Sequence, residues 1–200
     1  MARKPAQERR RDLVEAGLRV IAREGMHGAT VRAIVAEADV PLATFHYIFS
    51  SRDEMIGEAY AWVVLPEPSK GTMLVPSSSG LLGAVAEVLH DWVDRFTARP
   101  EYELAVMEIM AYCKRTPELE HLPEVIQARY VELIGQLVQS VAARTGVQLG
   151  RPIEELSTII LHVTDGLTYH LLRTGDEAAA RRYIDVAAPM IAAAALGGDR

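Results

Sequence analysis

Apolar residues recur with a helical period along almost the whole chain. In QERRRDLVEAGLRVIARE they fall at positions 13, 16, 17, 20 and 21, the spacing of one buried helix face. Gly25 predicts the end of this first helix. Thr30 is predicted to cap a second helix, VRAIVAEA, whose apolar residues again form one stripe.

A third short helix follows at once. Asp39 is expected to take the left-handed backbone conformation that ends the second helix, a place where glycine fits more easily. Pro41 is suited to start the next helix, because its fixed φ and missing N–H cost nothing in a first turn. Three helices in about 45 residues with a tight second connection predict a helix-turn-helix.

The remainder also predicts helices. EMIGEAYAWVVL predicts a fourth helix, and PEPSKGTMLVPSSSG predicts a loop because it has no period. Long helices are predicted at roughly 81–97, 101–115, 119–145, 153–173 and 177–196. No segment favours a strand. We therefore predict an all-α fold, with a three-helix helix-turn-helix domain at residues 1–52 and a larger helical bundle at 53–200.

Composition indicates a cytoplasmic protein. Half of the residues are apolar and 24% are charged, as in globular domains. The single cysteine, Cys113, has no partner for an intrachain disulfide. No apolar segment follows the basic N-terminus, so no signal peptide is expected. The late apolar stretch VAAPMIAAAAL is too short to span a bilayer, and no membrane association is expected.

The net charge of −6 is distributed unevenly. Residues 1–52 carry 9 Lys and Arg against 6 Asp and Glu, whereas residues 53–200 carry 12 against 21. A basic N-terminal quarter on an acidic body suggests contact with a polyanion. Chance variation of the surface explains the same numbers equally well.

The third helix has two chemically different faces. Leu42, Phe45 and Phe49 are spaced i, i+3 and i+7, which predicts a packing stripe. The polar residues of its early turns lie away from that stripe: Thr44, His46 and Tyr47. In a helix-turn-helix the second helix enters the major groove, where such groups contact bases and phosphates. The alternative is that the two rings only cover a domain junction.

The segment RRRDLVEAGLRVIAREGMHGATVRAIVAEADVPLATFHYIFSSRDEMIGEAY closely resembles the DNA-binding domain of TetR-family transcriptional regulators. The resemblance spans about 50 residues with the family's spacing intact. It implies DNA contacts by five residues: Thr30, Thr44, His46, Tyr47 and Arg52. Pro41 and Leu42 are further candidates because they lie at the start of the recognition helix.

Several positions depart from the family pattern. Asp39 and Ala43 replace common glycines, and Arg52 replaces a lysine that commonly contacts phosphate. His46 stands where tyrosine is frequent. These departures leave the fold prediction intact but affect the residues expected to read bases. Thr30 is expected to offer phosphate its hydroxyl and the N–H groups of its helix.

The basic N-terminal arm is a further candidate for phosphate contact. A frayed, solvated terminus is the alternative. The arm consists of Arg3, Lys4, Arg9, Arg10 and Arg11.

For the larger bundle, the resemblance implies a homodimer formed by the last two helices, bound to a palindromic double-stranded DNA operator. It also implies a small, largely apolar effector that releases the DNA. Bulky residues with a few polar tips are the candidates for the effector site: Trp92, Phe96, Met107, Met110, His162, Asp165 and Tyr169. Ordinary core packing is the alternative for each, and Asp165 in TDGL is expected to pair across the dimer or inside a pocket.

Motifs of common enzymes are missing: there is no G-x-S-x-G, P-loop or dinucleotide glycine pattern. We expect no catalysis and no cofactor, and we expect Cys113 to be a buried apolar residue. Two His–Asp pairs have spacings suited to a metal but no clear third ligand: His90 with Asp94, and His162 with Asp165. A helical enzyme or metal-binding protein, and a DNA-binding protein without an effector, are the alternative functions.

Overall fold

The computed structural model describes residues 5–64, 76–77 and 80–197, and these residues form nine α-helices and no strand. The four N-terminal helices are α1 (Ala6–Gly28), α2 (Val31–Glu37), α3 (Leu42–Ile48) and α4 (Arg52–Val64). The others are α5 (Leu81–Ala98), α6 (Pro100–Cys113), α7 (Leu122–Thr145), α8 (Ile153–Thr174) and α9 (Glu177–Leu196). The predicted all-α fold is confirmed.

Several helix boundaries differ from the prediction, and α1 runs past its predicted end at Gly25 to Gly28. The sixth helix ends at Cys113 rather than near residue 115, and the seventh begins at Leu122 rather than at 119. Between them the chain makes successive tight turns, in which the N–H of Leu119 donates to the carbonyl of Thr116. Pro123 then lies in the first turn of α7, where its missing N–H has no helical partner to lose. The predicted loop after α4 lies largely outside the described residues.

The chain divides into two compact units. The first joins Met1–Leu65 to Glu101–Ile126, and the second joins Pro66–Pro100 to Gln127–Arg200. The predicted division between residues 1–52 and 53–200 stays a prediction. By contacts, α4 and α6 are grouped with the helices of the helix-turn-helix.

In the first unit, α1 packs against α2, α3 and α4. The residues that the periodicity of α1 predicts to lie on its buried face are indeed buried, with Ala16 and Val20 fully inaccessible. The same core holds large side chains from every one of these four helices and from Phe49, directly after α3: Leu13, Ile21, Ile34, Phe45, Phe49, Met55 and Ile56.

In the second unit, α5 packs along α9, and α8 packs against both. Their shared core is aliphatic apart from one aromatic ring: Leu89, Val93, Phe96, Ile160, Leu167, Leu171, Ile184 and Ile191. Within the described ranges, no helix is both long and apolar enough to span a bilayer.

Candidate nucleic-acid interface

Local capping fixes the geometry of the helix-turn-helix. The Thr30 hydroxyl oxygen accepts a hydrogen bond from the N–H of Ala33 at 3.2 Å, as its predicted role as N-cap requires. Asp39 has φ 51°, the predicted left-handed conformation. Pro41 is the N-cap residue of α3, with extended backbone angles. Both predicted connections are therefore confirmed.

The inner side of α3 is formed by two aromatic rings. Phe45 and Phe49 are buried, with ring centroids 5.4 Å apart. Leu42, however, is 41% exposed, so its predicted place in the packing stripe is wrong. At about 100° per residue, Leu42 lies about 40° from His46 and about 60° from Phe45. It consequently belongs to the edge of the outer side.

The outer side of α3 carries most of the predicted DNA contacts. Pro41, His46 and Tyr47 are exposed, with Tyr47 70% accessible, and Thr44 is half-buried. Thr30 is also exposed at the start of α2. Ala43 is exposed on the same side of α3, although it was absent from the predicted contact set. Plotting α3 at the helical period would have found it.

Arg52 is turned inward rather than toward solvent. Its Nε donates to the carbonyl of Ala29 at 2.5 Å, and its Nη2 donates to the carbonyl of Met26 at 2.6 Å. Its Nη1 donates to the Tyr112 hydroxyl at 3.2 Å, and the guanidinium lies 5.3 Å from the centre of that ring. The side chain thus binds the segment that leads into α2, the corner formed by residues 25–29.

A carboxylate from α6 binds the same corner. Gly25 interrupts α1 with φ 72°, so the backbone leaves the helical path directly before the N–H of Met26. Glu108 Oε2 accepts from that N–H, on Met26, at 2.6 Å. A Cβ at position 25 would lie 3.1 Å from the Glu108 carboxylate, so glycine meets both the angle and the space.

In the basic arm, Arg10 binds groups of its own chain, whereas the prediction was a phosphate contact. Its guanidinium donates to Glu54 and Glu58 and to the carbonyl of Ile48, and it lies 4.4 Å from the centre of the Phe49 ring. Arg10 is thus already paired within its own chain. Arg11 lies 3.9 Å from Glu15. Arg3 and Lys4 lie outside the described residues, and a phosphate contact by the arm stays a prediction.

Hydrogen bonds and burial shift several pKa values in this unit. Two hydrogen bonds from Ser50, with the Arg10 guanidinium, lower the pKa of Glu54 to about 2. Burial, reinforced by the neighbouring Asp53 carboxylate, raises the pKa of Tyr112. Burial likewise raises the pKa of the Cys113 thiol to about 11. Cys113 is inaccessible, as predicted for a small apolar residue, and its thiol is protonated at neutral pH.

The predicted effector residues fall into three settings. Met107 and Met110 are half-buried on α6 in the first unit, and Phe96 is part of the core of the second. Trp92 is half-buried and donates from its Nε1 to the Thr168 hydroxyl at 3.0 Å. The remaining three lie on the exposed side of α8: His162, Asp165 and Tyr169. Their assignment to an effector site stays a prediction.

Within the described residues, neither predicted His–Asp pair has a third side chain placed to complete a metal site. Asp94 accepts from Arg181 at 2.5 Å, and His90 Nδ1 lies 3.4 Å from the same guanidinium. In the part of the chain that the structure describes, no three His, Cys, Asp or Glu side chains are placed to hold a metal ion.

Comparisons with known proteins agree over both halves of the chain. Residues 13–59 match the model of bacterial regulatory proteins of the tetR family, and residues 82–194 match the tetracyclin repressor-like C-terminal domain. The HTH-type nicotine-responsive transcriptional repressor HdnoR of Paenarthrobacter nicotinovorans is 31% identical over 141 residues, which are 68% of this chain and 71% of that protein.

Solved structures show the same fold. A TetR-family regulator from Mesorhizobium loti superposes with a TM-score of 0.76 at 14% identity, covering 96% of this chain and 98% of its own. The multidrug binding protein EbrR, complexed with imidazole, has a TM-score of 0.57 at 26% identity, covering 92% and 96%. The chain therefore belongs to the TetR family of bacterial regulatory proteins, which makes it a ligand-responsive, DNA-binding transcriptional repressor.

Proposed function

We propose that two copies of this chain bind a palindromic double-stranded operator and leave it when a small, largely apolar molecule binds the larger helical domain. The principal support is α3, whose inner side is sealed by Phe45 and Phe49 while its outer side exposes Tyr47 and His46. Large side chains left exposed on the second helix of a helix-turn-helix are placed for the major groove.

Each outer residue has a proposed role. Tyr47 donates its hydroxyl to a phosphate, and His46 donates to a base edge or a phosphate. Thr44 and Thr30 contact phosphates at the margins of the groove, and Pro41 lies beside it. These contacts hold α3 in register on the duplex while the base contacts specify the sequence.

For Arg52, the geometry supports a role other than the predicted phosphate contact. Two backbone carbonyls and the Tyr112 hydroxyl already accept from its guanidinium. We assign it to positioning: it fixes the corner at residues 25–29 and so orients Thr30 and α2.

A homodimer is supported by an apolar face on the last two helices. Val186 and Met190 of α9 are 63% and 67% exposed, and Tyr183 and Leu196 lie exposed on the same helix. On α8, Gly166 is exposed, and a Cβ built there meets nothing within 4 Å. A helical glycine with no packing role in its own chain leaves room for close approach by a second copy.

Dimer symmetry determines the operator. The two recognition helices of a symmetric dimer face half-sites about 34 Å apart, one turn of the duplex, which predicts a palindrome. Operator and repressor meet in the cytoplasm, and the protein acts there by binding, without a cofactor.

The effector is proposed to act by shifting the population of a form unable to match successive major grooves. Reversing a 99:1 preference requires about 5.5 kcal/mol of differential binding, so the molecule must be well enclosed or well paired. HdnoR is named as nicotine-responsive, and EbrR was crystallised with imidazole. Small nitrogen heterocycles are therefore the first effectors to test.

The test of DNA binding is selection of bound duplexes from a random pool. We expect an enriched palindrome with half-sites about one turn apart, bound with an affinity that falls steeply and linearly in log salt. A pool that yields no enriched sequence, together with no salt-dependent binding of any duplex, would contradict the proposed function.

The effector is tested on the same protein with nicotine and imidazole as the first probes. A molecule that binds the folded state raises its melting temperature, and an effector must also lower affinity for the selected palindrome. Stabilising molecules that leave that affinity unchanged would overturn release by ligand without affecting the assignment of DNA binding.

A further inference from the structure

The outer side of α3 is more apolar than the predicted contact set implied. At about 100° per residue, its four exposed side chains span an arc of about 140°. In order around the helix these are Leu42, His46, Ala43 and Tyr47. Thr44 falls beyond one end of the arc and is half-buried. Two of the four residues facing outward are therefore pure hydrocarbon.

The two hydrocarbon side chains both remain exposed. Leu42 keeps 41% of its surface accessible although the aromatic core of the unit is one turn away. Ala43 contributes a single exposed methyl group. His46, between them on the arc, has its ring held edge-on against Phe45, with centroids 5.7 Å apart. The arc is thus a defined surface with fixed polar and apolar parts.

The major groove offers only one hydrocarbon group to such a surface. Adenine, guanine and cytosine present hydrogen-bond donors and acceptors there, whereas thymine adds its C5 methyl group. An aliphatic side chain placed over the other bases would cover polar atoms without replacing their hydrogen bonds, which carries a free-energy cost.

We propose that Leu42 and Ala43 are specificity-determining residues, which select thymine at two positions of each half-site through contact with its C5 methyl group. The inference rests on the proposed function, since it requires α3 to lie in the major groove. Each half-site must then contain two thymines whose methyl groups can contact adjacent residues in the first turn of α3.

Replacement of thymidine by deoxyuridine tests the proposal, because it removes the C5 methyl group and leaves base pairing unchanged. In the selected palindrome, each thymine of one half-site is replaced in turn, and affinity is measured by fluorescence anisotropy. Loss of one buried methyl contact lowers affinity by about fourfold. We expect such a loss at two thymines of the half-site and little change at the others.

Protein variants test which side chain contacts each thymine methyl group. With Leu42→Ala, deoxyuridine at the position read by residue 42 should no longer weaken binding, and with Ala43→Gly the same should hold at the other position. Leu82→Ala is the matched control, because Leu82 is a comparably exposed leucine on α5. It should leave the full fourfold losses in place. All three positions are exposed, and melting temperatures verify that the variants fold.

The outcomes separate this inference from the proposed function. A palindrome that is bound specifically but loses nothing on deoxyuridine replacement overturns thymine selection and leaves the regulator assignment standing. Losses that persist undiminished in Leu42→Ala and Ala43→Gly also overturn it, because other residues would then contact the methyl groups. Failure to bind any duplex would contradict both proposals.

Discussion

Glu54 shows how one residue joins the local and tertiary interactions of the DNA-binding unit. Its Oε2 accepts from the N–H of Ser50 at 2.8 Å and from the Ser50 hydroxyl at 2.6 Å, and its Oε1 accepts from Arg10 at 2.8 Å. The first turn of α4 adds a favourable dipole for its charge. All of these contacts favour the ionised carboxylate, which is why the pKa of Glu54 falls from 4.5 to about 2.

A lowered pKa makes this part of the stability dependent on pH in a defined direction. The contribution is fully present above the unfolded pKa of 4.5 and is lost as pH falls toward about 2. Glu54→Gln keeps an acceptor for Ser50 but removes the charge. We therefore expect its melting temperature to lie below that of the wild type at pH 7, with the gap narrowing as pH falls from 4.5 to 3.

Thermal unfolding between pH 7 and pH 3 measures that gap. Glu118→Gln is the matched control, since Glu118 is exposed and lies in the turn after α6. It should show no comparable gap. A deficit in Glu54→Gln that stays constant or grows on acidification would contradict the role assigned to the carboxylate.

At the scale of elements, α6 stabilises the start of the helix-turn-helix from far along the sequence. Glu108 accepts from the N–H of Met26, while Tyr112 donates to Asp53 at 2.5 Å and accepts from Arg52. Glu108 and Tyr112 are one helical turn apart, so a single face of α6 reaches both the corner at residues 25–29 and the first turn of α4. A shift of α6 would consequently change the placement of Thr30.

Removal of the Glu108 carboxylate tests this connection. Glu108→Ala leaves the Met26 N–H without its partner, which costs about 1–3 kcal/mol of unfolding free energy. We expect faster amide hydrogen exchange at residues 26–30. Glu108→Gln is the control at the same position, because its amide oxygen can still accept, and it should preserve most of the protection. Equal exchange in the alanine variant and the wild type would contradict the connection.

The sequence predicts a contact well when the two residues are close along the chain, and poorly when they are far apart. The cap at Thr30 and the left-handed Asp39 depend on neighbours within a few residues, and both were predicted. Leu42 was misplaced because i, i+3 spacing alone does not define the centre of a short helix's buried face. The inward turns of Arg10 and Arg52 depend on partners up to 60 residues away. No local sequence pattern predicts such distant contacts.

The whole molecule is proposed to function as a dimer through the exposed face of α8 and α9. Val186 and Met190 are one turn apart on α9, and together with Tyr183 they form an exposed stripe along that helix. The periodicity of these helices predicted burial but could not distinguish the core of one chain from an interface. Their exposure in the single chain favours the interface.

Charge placed on this stripe should separate the copies without unfolding them. In Val186→Asp/Met190→Glu we expect a monomer by analytical ultracentrifugation, with helical content retained, because both side chains point away from the core of their own chain. Val125→Glu on α7 is the control, as Val125 is 54% exposed, and it should remain a dimer. A dimeric double variant would mean that the interface lies elsewhere.

The outer face of α3 is tested most directly by comparing binding of the selected palindrome and a scrambled duplex at one fixed salt concentration. The proteins compared are the wild type and His46→Ala/Tyr47→Ala, with dimer content and melting temperature matched. We predict that the wild type prefers the palindrome by about 10³-fold or more, and that the double variant binds the palindrome much more weakly than the wild type while remaining folded and dimeric. A double variant that binds the palindrome as tightly as the wild type would contradict the assignment of this face to DNA binding.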